Sequence, residues 1–140
     1  MTLFASEADL DELLLSFESC TLSHEAWTHR EHLAVAACYV FSHDEMALEV
    51  IRAGILRLNA SHGVENTDTG GYHESITVAW VALFGLLKLE CDSRLALANR
   101  SLEMFADKRY LLRFYSRDRI MSVEARKGWV EPDLMPFSLR

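Results

Sequence analysis

Apolar residues recur at intervals of three and four along nearly the whole chain, and no segment shows sustained alternation of apolar and polar residues. The first pattern is typical of amphipathic α-helices, whereas alternation would indicate strands. The chain has 140 residues, 50% of them hydrophobic, which is enough to bury a core. We therefore predict an all-α fold with one domain over residues 1–140, a bundle of about five to six helices and an extended C-terminal tail.

Capping residues indicate where the helices begin. Ser6 is expected to cap the first helix, Thr28 with Glu31 forms a capping box for the second, and Asp44 is expected to cap the third. A fourth helix over residues 72–89 is apolar nearly all round, so we expect it at the centre of the bundle. A fifth helix begins near residue 93, and Ser122 caps a last short turn.

Charge and composition exclude several classes of protein. The net charge is −7 and the 14 Lys and Arg residues are scattered, which argues against a nucleic-acid partner. The N-terminal segment lacks the basic region of a signal peptide, and the longest apolar run is interrupted by Lys88 after about 12 residues, too few to span a membrane. We expect a cytoplasmic protein without a membrane partner, in which Cys20, Cys38 and Cys91 are reduced.

Three histidines are predicted to face the core. At 100° per residue, His29 and His32 share a face with the apolar residues of the second helix, and His73 shares one with Trp80 and Phe84. The connection between the second and third helices is short, so these two should be antiparallel, and the long loop over residues 60–71 then returns the chain to a fourth helix parallel to the second. The three histidines should therefore meet at one pole of the bundle.

A cluster of three imidazoles with an open fourth position suits zinc or another divalent transition metal. We accordingly predict a metal site formed by His29, His32 and His73, with Glu74 as the nearest general acid or base. Residues at its mouth would contact a small-molecule substrate, namely Asn66, Thr67, Asp68 and Tyr72. The simpler interpretation is that backbone carbonyls satisfy the histidines, and that Glu74 stabilises the positive end of the helix dipole.

Three functional hypotheses remain open. The first is a metal-binding helical protein that acts as an enzyme on an unidentified small molecule. The second is a metal-free helical protein that binds a ligand or a regulatory partner. In the third, the histidines only hold the loop onto the bundle. A second copy of the chain could cover the apolar fourth helix, so a homodimer is also expected.

Three blocks, "WTHREHL", "NTDTGGYHESITVAW" and "YSRDRIMSVEARKGWVEPDLMPF", occur in this order. With them the chain resembles an uncharacterised family of small bacterial helical proteins. The resemblance covers most of the chain from Trp27 onward. It implies a helical domain and a tail, with Trp129, Glu131, Pro132 and Asp133, that is part of the fold.

The histidine pattern is also similar, more weakly, to that of four-helix-bundle metalloproteins of the DNA-damage-inducible type. Those proteins bring three histidines together at one end of a bundle and include thiol-dependent transferases. Their paired histidines are usually four residues apart and late in the chain, whereas His29 and His32 are three apart and early. The similarity implies a metal site but does not transfer an activity.

Overall fold

The computed structural model describes residues 1–140 and contains seven α-helices and no strand. The helices are α1 (Glu7–Glu18), α2 (His29–His43), α3 (Ala47–Ser61), α4 (Glu74–Lys88), α5 (Arg94–Met104), α6 (Arg117–Ile120) and α7 (Val123–Lys127). Two 3₁₀ segments, Asp44–Met46 and Lys108–Arg113, join α2 to α3 and α5 to α6. The predicted all-α fold is confirmed, with five long helices and two short ones. None of the helices is both long and apolar enough to cross a membrane.

Of the four predicted caps, those at Ser6 and Ser122 form, and the predicted start of the fifth helix near residue 93 is confirmed. The hydroxyls of Ser6, Ser93 and Ser122 each accept a hydrogen bond from a backbone N–H in the first turn of α1, α5 and α7. Thr28 precedes α2, but its hydroxyl bonds the carboxylate of Glu31 and leaves the first-turn N–H groups uncapped. The predicted Asp44 cap of α3 is wrong, because α3 begins three residues later, after a 3₁₀ turn.

The centre of the bundle is occupied by α2. All eight residues of its segment 33–40 are buried, and the helix packs against α1, α3, α4 and α5. We predicted α4 in this position, but half-buried residues such as Val78 and Trp80 leave α4 less enclosed. The reason lies in side-chain size, since Ala34, Ala36 and Ala37 let neighbouring helices approach α2 from several sides.

The C-terminal tail after α7 has no regular structure but is attached to the bundle. Tyr115 donates a 2.7 Å hydrogen bond from its hydroxyl to the carbonyl of Val130, and the N–H of Leu134 donates to Phe114. The carboxylate of Asp133 accepts hydrogen bonds from both the backbone N–H and the hydroxyl of Ser116, at 2.7 and 2.6 Å. These bonds make the tail an integral part of the fold.

Candidate functional site: a cavity at the shared pole of α2 and α4

The predicted parallel arrangement of α2 and α4 is confirmed. Lys88, the last residue of α4, donates to the carbonyls of Val40 and Phe41 near the end of α2, and it also contacts the carboxylate of Asp44. The two C-terminal ends are therefore adjacent. At the opposite pole, His32 of α2 and His73 before α4 line one cavity.

His73 has both ring nitrogens engaged. Its Nδ1 accepts the N–H of Ile76 at 3.1 Å and caps α4, so Nε2 must carry the proton that it donates to the carbonyl of Ile120 at 2.7 Å. The side chain is 8% exposed, and burial lowers the pKa of its imidazole although the bond to Ile120 opposes this shift. His73 is thus a neutral residue that joins the start of α4 to the end of α6.

One of the two ring nitrogens of His29 forms a hydrogen bond within the protein. Its Nε2 lies 2.8 Å from the carbonyl oxygen of Phe105, which can only accept, so the ring donates from Nε2. Burial lowers the pKa of the imidazole, the bond to Phe105 raises it, and the nearby ammonium of Lys108 lowers it further. The neutral ring therefore keeps an unprotonated Nδ1 that has no hydrogen-bond partner in the protein.

His32 makes no hydrogen bond within the protein. Its ring lies against the indole of Trp27, with the two centroids 3.8 Å apart. Desolvation by the surrounding residues lowers the pKa of His32 to about 4, and His29 and Lys108 add to this shift. His32 nevertheless has an exposed surface, because one side of the residue faces the larger of the two cavities described below. A neutral imidazole with one free donor and one free acceptor results.

The metal site that we predicted for these three histidines requires a free lone pair from each of them at one point. No group of three or more His, Cys, Asp or Glu residues has the geometry to hold a metal ion in this arrangement. His73 would have to release its bond to Ile76, and a metal at the Nε2 of His29 would displace the bond to Phe105. The tri-histidine metal site stays a prediction, and the present geometry does not fit it.

The carboxylate of Glu74, the predicted general acid or base, forms an ion pair that links α4 to α3. Arg52 of α3 binds both of its carboxylate oxygens, at 2.9 and 2.5 Å, and the hydroxyl of Tyr72 donates to it at 2.6 Å. Arg52 is the main reason why the pKa of Glu74 is lowered, although partial burial opposes the shift. The carboxylate lines neither of the cavities described below. A catalytic role for Glu74 stays a prediction, whereas its contacts are those of a structural ion pair.

The loop residues predicted to contact a substrate lie in different places. Tyr72 lines a cavity of about 380 Å³ that lies beneath the loop. The side-chain oxygen of Asn66 accepts the N–H of Tyr72 at 2.9 Å, and Thr67 accepts the N–H of Thr69 within the loop. Asp68 forms an exposed 2.7 Å ion pair with Lys127 of α7. Asn66, Thr67 and Asp68 thus shape the loop, and substrate contact by them stays a prediction.

Gly71 explains why the loop turns sharply before α4. Its φ of +82° lies in the left-handed region, and an added Cβ would come within 2.5 Å of the side-chain oxygen of Asn66. Only glycine fits here without a shift of the loop. The carbonyl of Gly71 accepts a 2.9 Å hydrogen bond from Arg126, so the turn is also fixed to α7.

A cavity of about 520 Å³ lies between α2, α3, α4 and the 3₁₀ segment Lys108–Arg113. Its walls are mostly hydrophobic and include three aromatic rings. The polar groups among the lining residues are few, namely Thr28, His29, His32, Thr77 and Lys108. The apolar lining residues are Trp27, Leu33, Ala36, Ile51, Ile55, Ile76, Trp80, Val81, Phe84 and Leu111.

A second cavity of about 380 Å³ adjoins the first and lies beneath the loop. The two cavities share five lining residues: Trp27, His32, Ile55, Ile76 and Thr77. The Trp27 and His32 pair therefore stands at their junction. A ligand in the larger cavity would contact the histidine that has no protein partner.

Sequence reasoning missed several residues of this site. The site predicted from the sequence does not include Lys108, Ile51 or Ile55, although all three line the larger cavity. Trp27 and Trp80, which are both half-buried, also line the larger cavity. Trp80 lies on α4 and Trp27 lies just before α2, so their shared position in the cavity wall follows only once the packing of these segments is known.

Comparison with known proteins adds no assignment: no family model matches the chain, and no curated protein or solved structure is significantly similar to it. The resemblance to small bacterial helical proteins therefore stays a prediction. Functional inference about this chain depends on the geometry of its own residues.

Proposed function

We propose that this protein binds a small, mostly apolar molecule in the cavity between α2, α3 and α4, and that it does so without a metal. The observation that carries this proposal is the 520 Å³ cavity itself, with hydrophobic walls and a few polar groups. Ligand pockets in proteins have volumes of about 300 to 1,000 Å³ and the same composition.

The histidines support ligand binding in two ways. His73 and the Nε2 of His29 are committed to backbone carbonyls and hold the walls in place. His32 and the Nδ1 of His29 have no protein partner, so they are available to a ligand. Rigid walls with a small number of uncommitted polar groups reduce the cost of ordering the site when a ligand binds.

The test uses 1-octanol as an apolar probe and a variant that narrows the cavity. Ile55 is half-buried and lines both cavities, so Ile55→Trp places an indole at their junction. We expect titration calorimetry to show binding of octanol to the wild type and a loss of about tenfold or more in the variant, because the ring occupies ligand volume. Leu56→Trp is the matched control, since Leu56 is half-buried on the same helix but does not line the cavities.

A metal-dependent enzyme is the rival hypothesis, and the same preparation distinguishes it. Protein purified without a histidine tag is analysed for metals, and its thermal unfolding is measured with added zinc, nickel, manganese or iron salts. Stoichiometric metal, or a stabilisation by metal that is lost in both His29→Ala and His32→Ala, would contradict the metal-free proposal. Equal binding of octanol by the Ile55→Trp variant and the wild type would contradict the location of the site.

A further inference from the structure

The cavity has an uneven distribution of charge. Lys108 is the one Lys or Arg among the lining residues, and no Asp or Glu lines either cavity. The chain as a whole carries 21 acidic and 14 basic residues. An acid-free cavity with a single cation in an acidic protein favours an anion over a cation, since only the anion gains an attractive partner.

Lys108 has no carboxylate partner. The other two lysines of the chain are both paired, Lys88 with Asp44 and Lys127 with Asp68. The acid next to Lys108 in sequence, Asp107, binds the guanidinium of Arg109 at 2.8 Å instead. No carboxylate therefore competes with a ligand for the ammonium of Lys108, and Lys108 lines the larger cavity together with His29 and His32.

His32 supplies a second donor. A neutral imidazole carries one N–H, and that of His32 has no acceptor within the protein. One ammonium and one N–H match the two oxygens of a carboxylate. A phosphate monoester would bring up to two negative charges against one lysine, so a singly charged head group fits better.

Resting on the function proposed above, we infer that the ligand is a small monocarboxylate with an apolar body. Its carboxylate binds Lys108 and His32, and its apolar part packs against the half-buried Trp80 and Ile55. The arrangement disfavours organic cations, because the lining of the cavity includes Lys108 and no carboxylate.

Three probes with the same eight-carbon chain test this inference: octanoate, 1-octanol and octylammonium. We expect octanoate to bind the wild type about fivefold more tightly than octanol, which is the effect of a partly exposed ion pair, and octylammonium to bind most weakly. Lys108→Gln should remove the preference for octanoate over octanol. Lys127→Gln is the matched control and should retain the preference, because the Lys127 ion pair lies outside the cavity.

The outcomes separate the inference from the function on which it rests. If octanol and octanoate bind equally, or if Lys108→Gln keeps the preference, the carboxylate inference is wrong while the apolar site stands. Tightest binding of octylammonium would also overturn it. If none of the three probes binds, both the inference and the proposed function fail.

Discussion

Three inward histidines of one predicted cluster have three different roles. His73 caps α4 and binds Ile120, His29 is held by the carbonyl of Phe105, and His32 has no protein partner. Helical position alone predicts that all three face the interior. It does not give their partners, because the accepting carbonyls belong to the end of α5 and to α6, which are far away in sequence.

Acid should destabilise the protein through these histidines. Burial lowers the pKa of His29 and His73 below the usual 6.5 and that of His32 to about 4. The unfolded chain therefore takes up protons first, so the stabilisation is complete above about pH 6.5 and is lost as the pH falls towards about 4. We expect the free energy of unfolding to fall by about 2 kcal/mol between about pH 7.5 and about pH 5, with the share of His32 weakened by its exposure.

Urea unfolding at a series of pH values measures this dependence. Glu74 also has a lowered pKa, but carboxylates contribute mainly below about pH 4.5, outside the interval. His32→Gln should reduce the slope, whereas His43→Gln, an exposed position at the end of α2, should leave it unchanged. A free energy of unfolding that is constant over the interval would show that the histidines are not desolvated.

The structure of individual elements follows the sequence closely where local capping determines it. The starts of α1 and α7 are predicted by Ser6 and Ser122, whose hydroxyls accept a first-turn N–H. The start of α3 is not predicted correctly, because Asp44 has a positive φ of 43° and its carboxylate contacts Lys88 of α4. A long-range ion pair thus replaces the local cap that the sequence indicates.

The first turn of α4 fastens the C-terminal segment to the bundle. Ser75 is fully buried; its hydroxyl donates to the carbonyl of Gly128 at 2.7 Å and accepts the N–H of Val130 at 3.0 Å. With His73, it accounts for two of the three buried polar residues in the protein. Both hydrogen bonds of Ser75 connect residues more than fifty positions apart, so no local pattern predicts them.

Ser75→Ala should loosen this attachment. The substitution leaves the carbonyl of Gly128 and the N–H of Val130 without a partner, so we expect a loss of about 1 to 3 kcal/mol in the free energy of unfolding. Hydrogen exchange should become faster at Val130 and along the tail. Ser42→Ala is the control, because Ser42 is exposed on α2 and should change neither quantity. Unchanged exchange at Val130 in Ser75→Ala would contradict the proposed attachment.

The whole molecule was predictable in class and in topology but not in its interior space. Periodicity and loop lengths predicted a helical bundle with α2 and α4 parallel. They could not predict that Trp27, Ile55 and Trp80 leave a cavity between them, since a cavity forms where packed helices leave a gap, and neither periodicity nor loop length gives the position of that gap.

The homodimer stays a prediction. The surface of α4 that a second copy could cover is smaller than expected, because α4 packs on α2, α3, α5 and α7 of its own chain.

The central claim is that the cavity at the shared pole of α2 and α4 is the ligand site. The three tryptophans test it most directly, because Trp27 and Trp80 line the cavity while Trp129 lies in the tail. We expect that titration with 1-octanol, followed by NMR, shifts the indole N–H signals of Trp27 and Trp80 and leaves that of Trp129 in place. A shift confined to Trp129, or no shift at all under saturating octanol, would contradict the claim.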